Sequence, residues 1–112
     1  MRTGRGGHAC DHCPAGCVVA LDGRLDVSGA AAAREALHAA VDAGQGRLVV
    51  DLTGVELLDA TGLGVLVGTH RRARLAGRHL VLLDPAPRVA RILALTRVDR
   101  IIRTERTELP AA

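Results

Sequence analysis

The sequence predicts an α/β fold: a mixed, mostly parallel β-sheet of about four to five strands, with α-helices alternating between them. Three observations carry this. Short apolar runs rich in β-branched residues fall at 17–23, 47–52 and 79–84, the length and make-up of strands. The segments between them repeat their apolar residues at helical spacing. The two kinds of segment alternate along the chain, and such alternation implies parallel strands joined by crossover helices. With 112 residues, 48% of them hydrophobic and 24% charged, the chain fits one globular domain with its own core.

Each element has its own local reason. CVVALDG (17–23) is a strand ended by a glycine turn, and the preceding HACDH (8–12) is a candidate edge strand joined to it by Pro14-Ala15-Gly16. Asp26 or Ser28 is the candidate cap of a helix reaching about Ala43, with Ala33, Leu37, Ala40 and Val41 on its apolar face. Gly44 and Gly46 stop it. RLVVDL (47–52) is continuously apolar, as a central strand buried on both faces should be. TGVELLDA (53–60) reads as a loop with a buried apolar portion. A second helix begins at Thr61, carries Leu63, Leu66, Val67 and His70 along one stripe, and ends near Gly77. HLVLLD (79–84) is the next buried strand. A third helix has Pro87 in its first turn and turns Val89, Ile92, Leu93 and Thr96 inward. RIIR (100–103) is a short strand or a helix tail. Residues 1–9 are expected to form a loose basic tail, 10–104 the domain, and 105–112 a C-terminal tail.

Composition narrows the function. The chain has no Phe, Tyr or Trp, so it offers no surface on which a nucleobase can stack. All fifteen basic residues are arginine and the net charge is +3, but twelve acids are interspersed with them. Arg71, Arg72, Arg74 and Arg78 read as a solvated helix face, with a partner-facing patch as the alternative; Arg97, Arg100, Arg103 and Arg106 form a second cluster. Neither is a dense stripe beside a groove-reading element, so nucleic acid is not the expected partner. No apolar run is long enough to span a membrane. The basic N-terminus lacks an apolar core of the signal-peptide kind, so a cytoplasmic location is expected.

All three cysteines and two histidines crowd into HACDHCPAGC. Cys10-x-x-Cys13 has metal-ligand spacing, but the second ligand pair a zinc site requires is missing downstream. A thioredoxin-type pair should follow a strand and open a helix, whereas Pro14-Ala15-Gly16 follows here. His8, Cys10, His12, Cys13 and Cys17 are therefore weak metal candidates, read first as structural residues, with metal binding and redox sensing as the alternatives.

The most informative stretch is VELLDATGLGVLVG (55–68). It is not a dinucleotide loop, because Val67 stands where a third glycine is needed and Gly62 lies well beyond the end of the strand. It lacks the Gly-Lys-Ser/Thr of a phosphate-cradling loop, and no local base activates Thr61 as a nucleophile. Two glycines at a helix start leave little bulk there, so a partner can approach closely. The first-turn N–H groups and the helix dipole favour negative charge at this point. A phosphate on Thr61 would add roughly two negative charges and change how the surface docks. The loop suits a switch better than a catalyst.

With ALDGRLD (20–26) ahead of it and PAPRVARILAL (85–95) behind it, this stretch resembles the STAS domain, the fold of bacterial anti-sigma-factor antagonists, over about residues 17–103. The resemblance implies a non-enzymatic binding module whose partner is an anti-sigma factor, a kinase of the histidine-kinase-like ATPase type; binding frees a sigma factor. It implies partner contact through Asp26, Leu58, Asp59, Ala60, Thr61, Gly62, Leu63 and Gly64. ATP and magnesium belong to the kinase, so no cofactor is expected. The family's usual phospho-acceptor directly follows the Asp, and here that position is Ala60. Thr61 then either takes over as acceptor, or the protein binds without the usual switch, or the hydroxyl only caps the helix; Asp59 either caps the helix N-terminus or orients a group of the partner, and capping combined with contact is the preferred reading. Thr96-Arg97-Val98 also replaces the family's common Thr-Gly-Leu. The alternatives to an antagonist are a phosphorylation-independent scaffold or regulatory subunit of a stress-signalling complex or transport system, and a small enzyme or redox sensor using Cys10 and Cys13.

Overall fold

The structure, a computed structural model, describes residues 16–107, with side chains from Val18 onward. The element order is β1 (Gly16–Leu25), α1 (Ala30–Ala43), β2 (Arg47–Leu58), α2 (Ala60–Leu75), β3 (His79–Leu83), α3 (Pro87–Leu95), α4 (Val98–Ile101) and β4 (Arg103–Glu105). The strands form one sheet in the order β1-β2-β3-β4, and all three pairings are parallel. The alternation read from the sequence is therefore the architecture: each crossover contains a helix. The candidate strand at 8–12 and the cysteine and histidine cluster lie outside the described residues, apart from the backbone of Cys17 in β1.

The hydrophobic side chains of the core are all aliphatic. Leu48, Val50 and Leu52 of β2 and Leu80 and Leu82 of β3 are buried with Leu37 and Val41 of α1, Val65 and Leu66 of α2, and Val89 and Leu93 of α3. α1 and α2 pack side by side, α1 against β1 and α2 against β2 and β3; α3 packs on β2.

Several local expectations are corrected. TGVELLDA is mostly strand, since β2 continues to Leu58 and stays paired with β1 through Leu25↔Leu58. Register irregularities between Ala20 and Asp22 and between Gly23 and Arg24 absorb the extra residues of β2. β2 is central in the sheet but not buried on both faces: Leu48, Val50 and Leu52 are buried, while Arg47 is exposed and Val49 half-buried. Neither Asp26 nor Ser28 caps α1; its N-cap is Gly29, which has no side-chain bond to give. The inner stripe of α2 is Gly62, Val65, Leu66, Thr69 and Ala73, so Leu63, Val67 and His70 sit at its margin, half-buried. Thr96 is exposed beyond the end of α3, its hydroxyl donating to the Ile92 carbonyl at 2.7 Å. RIIR is divided between α4 and β4.

Arg78 departs furthest from expectation. It is no part of a solvated face but is 2% exposed. The turn ending α2 puts it there. Gly77 adopts φ +73, its N–H donating to the Arg74 carbonyl (3.0 Å), and the Arg78 N–H donates to the Ala73 carbonyl (2.8 Å). This pair of bonds is the Schellman ending, which needs a residue at ease with positive φ. It reverses the chain and sends the Arg78 side chain under α1.

Candidate functional site

The loop singled out in the sequence forms the carboxyl edge of the sheet, where β1 and β2 end and α2 starts. In open parallel sheets this edge is where binding surfaces collect, because loops and helix N-termini converge there. The Asp59 N–H donates to the Leu25 carbonyl at 3.4 Å, tying the two strand ends together and bringing Asp26 beside the start of α2.

Asp59 is the N-cap of α2. Its Oδ1 accepts from the Gly62 N–H at 3.0 Å, and its carbonyl accepts from the Leu63 N–H at 2.8 Å. Such a cap stabilises a helix by about 1 kcal/mol. Asp59 and Ala60 are nevertheless exposed, and Thr61 is half-exposed. The Thr61 hydroxyl has no hydrogen bond within the described residues, so the capping is done by Asp59 and the hydroxyl is left for other contacts.

The two glycines differ in what they do. A Cβ on Gly62 would lie 2.0 Å from the Leu25 carbonyl oxygen and 2.8 Å from Leu58 Cδ1. Gly62 is buried, and it is glycine so that α2 can lie against the end of β1, not so that a partner can approach. Leu58 is likewise core, 3% exposed. Gly64 is exposed, with open space where a Cβ would stand, and Leu63 is half-buried. The surface a partner can touch is thus Asp59, Ala60, Thr61 and Gly64, supported from below by Leu58, Gly62 and Leu63.

Asp26 organises the rim. Its Oδ1 accepts from the Ser28 hydroxyl (2.6 Å) and the Ser28 N–H (3.0 Å), and its Oδ2 from Arg24 Nε (3.0 Å). These bonds, the Ser28 hydroxyl foremost, lower its pKa to about 2. A carboxylate whose pKa is depressed on folding stabilises the fold above its unfolded value of 3.8, and that contribution disappears as pH falls towards about 2. Asp26→Asn should therefore reduce stability at pH 7, with the gap from wild type closing through that acid window. Urea titrations at stepped pH measure it; a gap that does not narrow below 3.8 contradicts the assignment. Val27, next along, was not singled out by any sequence signal and is 77% exposed, an apolar side chain on the same rim.

No metal-binding group of three or more His, Cys, Asp or Glu side chains occurs among the described residues. No helix in them is long and apolar enough to cross a membrane.

An α/β domain with parallel strands in this order and a capped, glycine-bearing helix start at the carboxyl edge defines the class. The STAS domain family model matches residues 9–111, and the chain belongs to that family. Among curated relatives, the Anti-sigma-B factor antagonist of Listeria monocytogenes is 38% identical over 61 residues, 54% of this chain and 54% of that protein. The chain spans about half the length of the curated relatives it matches. Among solved structures, an anti-sigma factor antagonist from Mycobacterium paratuberculosis is 32% identical with TM-score 0.69, covering 85% of this chain and 80% of that one. The Thermotoga maritima protein TM1081 is 25% identical with TM-score 0.75, covering 82% of this chain and 80% of that one.

Proposed function

We propose that this chain is an anti-sigma-factor antagonist that acts by protein–protein contact and without catalysis. Its partner is an anti-sigma factor of the histidine-kinase-like ATPase type, and its binding frees a sigma factor for transcription. The observation that carries this reading is the exposed cap of α2: Asp59, Ala60, Thr61 and Gly64 present charge, hydroxyl and open backbone together on one edge. The antagonist names borne by its relatives support the reading.

Thr61 is the candidate phospho-acceptor, in place of the residue that Ala60 lacks. Thr61 is half-exposed on the first turn of α2, where the helix dipole favours a phosphate. That phosphate would stand two residues from the Asp59 carboxylate and close to Asp26. The concentrated negative charge opposes docking of any partner surface complementary to the unmodified edge.

Titrating the chain with an anti-sigma-factor kinase from the same genome tests both parts. Asp59→Lys and Gly64→Arg should each weaken binding at least tenfold, about 1.4 kcal/mol. Unchanged affinity in both would remove this edge as the docking site. With ATP present, one phosphate should be incorporated by wild type and none by Thr61→Ala. Binding without incorporation would identify the phosphorylation-independent form of the same module.

A further inference from the structure

We propose that a cleft at the opposite edge of the sheet binds a small molecule through its phosphate group. The cleft, open to solvent, has a volume of about 760 Å³ where β2 and β3 begin, and is walled by α2, α4 and β4. Its volume falls in the range of small-ligand sites. Arg47, His70, Arg74, His79 and Arg103 line it, with Glu105 as its carboxylate.

The strand register assembles this set. Arg47 pairs with His79, and Val81 with Arg103, so these side chains and Glu105, two residues on, share one face of the sheet. α2 adds His70 and Arg74, one turn apart, from its C-terminal half. Residues distant in sequence thus bring their positive charge to one place.

The charge is not neutralised internally. Glu105 accepts from both Arg47 Nη2 and Arg103 Nε, each at 2.7 Å, so one carboxylate serves two guanidinium groups. Arg74 and His79 have no ion-pair partner among the described residues. His70 adds an unmet valence: its Nδ1 is buried without a hydrogen-bond partner. Burial, then Arg74 and Arg71, holds the His70 pKa below its usual 6.5. An anion in the cleft would offset Arg74, which lines it beside His70, and favour protonation of the ring. Guanidinium groups recognise phosphate by charge-assisted hydrogen bonds. The chain has no aromatic residue to stack a base, so recognition rests on the phosphate and not on an attached ring.

The site is independent of the proposed docking function, since the partner-facing loop occupies the other end of α2. The test is a titration of the full chain with inorganic phosphate, and separately with glycerol 3-phosphate, at constant ionic strength, following the histidine ring signals by NMR. The His70 and His79 signals should move saturably while His38, on α1, stays still. Arg74→Gln and Arg103→Gln should each weaken binding at least fivefold, and Arg88→Gln, a charge-matched change on α3, should not. All three arginines are exposed, so the variants should keep the wild-type melting temperature, which verifies folding. Tighter binding of glycerol 3-phosphate identifies a phosphate ester as the ligand; equal or weaker binding identifies the free ion. Small non-saturating shifts in all histidines, or equal affinity in Arg74→Gln and Arg88→Gln, would overturn the proposal.

Discussion

Gly62→Ala should destabilise the protein by about 3 kcal/mol, at the upper end for overpacking, although it adds a single methyl group. The methyl meets backbone, not a mobile side chain: the Leu25 carbonyl oxygen would lie 2.0 Å from it. Relief requires α2 to move away from β1, and that separates the Asp59 N–H from the carbonyl it reaches at 3.4 Å. Gly64→Ala, two residues on, should do the reverse. Its Cβ meets nothing within 4 Å, so the substitution gains up to about 1 kcal/mol by removing a glycine from a helix interior. Urea unfolding of the two variants reads both signs as midpoint shifts at unchanged slope. Equal stability of Gly62→Ala and wild type would show that α2 does not pack against β1 this closely. The pair also separates folding from docking, because a partner that approaches the backbone at Gly64 loses affinity for a variant that is itself more stable.

How much of this was legible in the sequence depends on the range of the interaction. The alternation of strands and helices follows from local apolar periodicity, and the order β1-α1-β2-α2-β3-α3 could be read from it. The Asp59 cap is also local, an acid three residues ahead of the N–H it accepts from. What failed depends on distant partners. The extension of β2 to Leu58 is set by its register with β1, and no window around 53–58 contains that information. The inner stripe of α2 was misplaced because glycine and threonine form part of it, and hydropathy does not mark Gly62 or Thr69 as core. Gly62 and Gly64 look alike in sequence; only the position of Leu25 makes one a packing residue and leaves the other open. The basic cleft escaped notice for the same reason, since its residues come from β2, α2, β3 and β4.

Arg78→Met should be among the most damaging substitutions in the chain, even though it replaces a charge in the interior with an apolar group of similar length. The reason lies in the acceptors it leaves behind. Arg78 Nη1 donates to the Ala40 and Val41 carbonyls (2.7 and 3.0 Å), Nε to Gly46 (3.0 Å), and Nη2 to Gln45 and Arg47 (3.3 and 3.4 Å). Ala40 and Val41 belong to the last turn of α1, which carries no basic residue of its own. Arg78 therefore supplies the cation that the negative end of that helix favours, and holds the α1–β2 connection by its carbonyls. A buried arginine without a carboxylate beside it is tolerated here because all three of its side-chain nitrogens are bonded to carbonyl dipoles. Removing it strands several of those acceptors, at about 1–3 kcal/mol for each that water cannot reach. A loss of about 3 kcal/mol or more corresponds to a fall in Tm of more than about 10 °C for a domain of this size. Arg78→Lys should fall between, since an ammonium has three donors for five carbonyls and lacks the planar fork that reaches them from one position. Thermal unfolding of the two variants beside wild type gives the ranking. A methionine variant as stable as wild type would mean that water satisfies those carbonyls and that the guanidinium is not the link between α1 and the sheet.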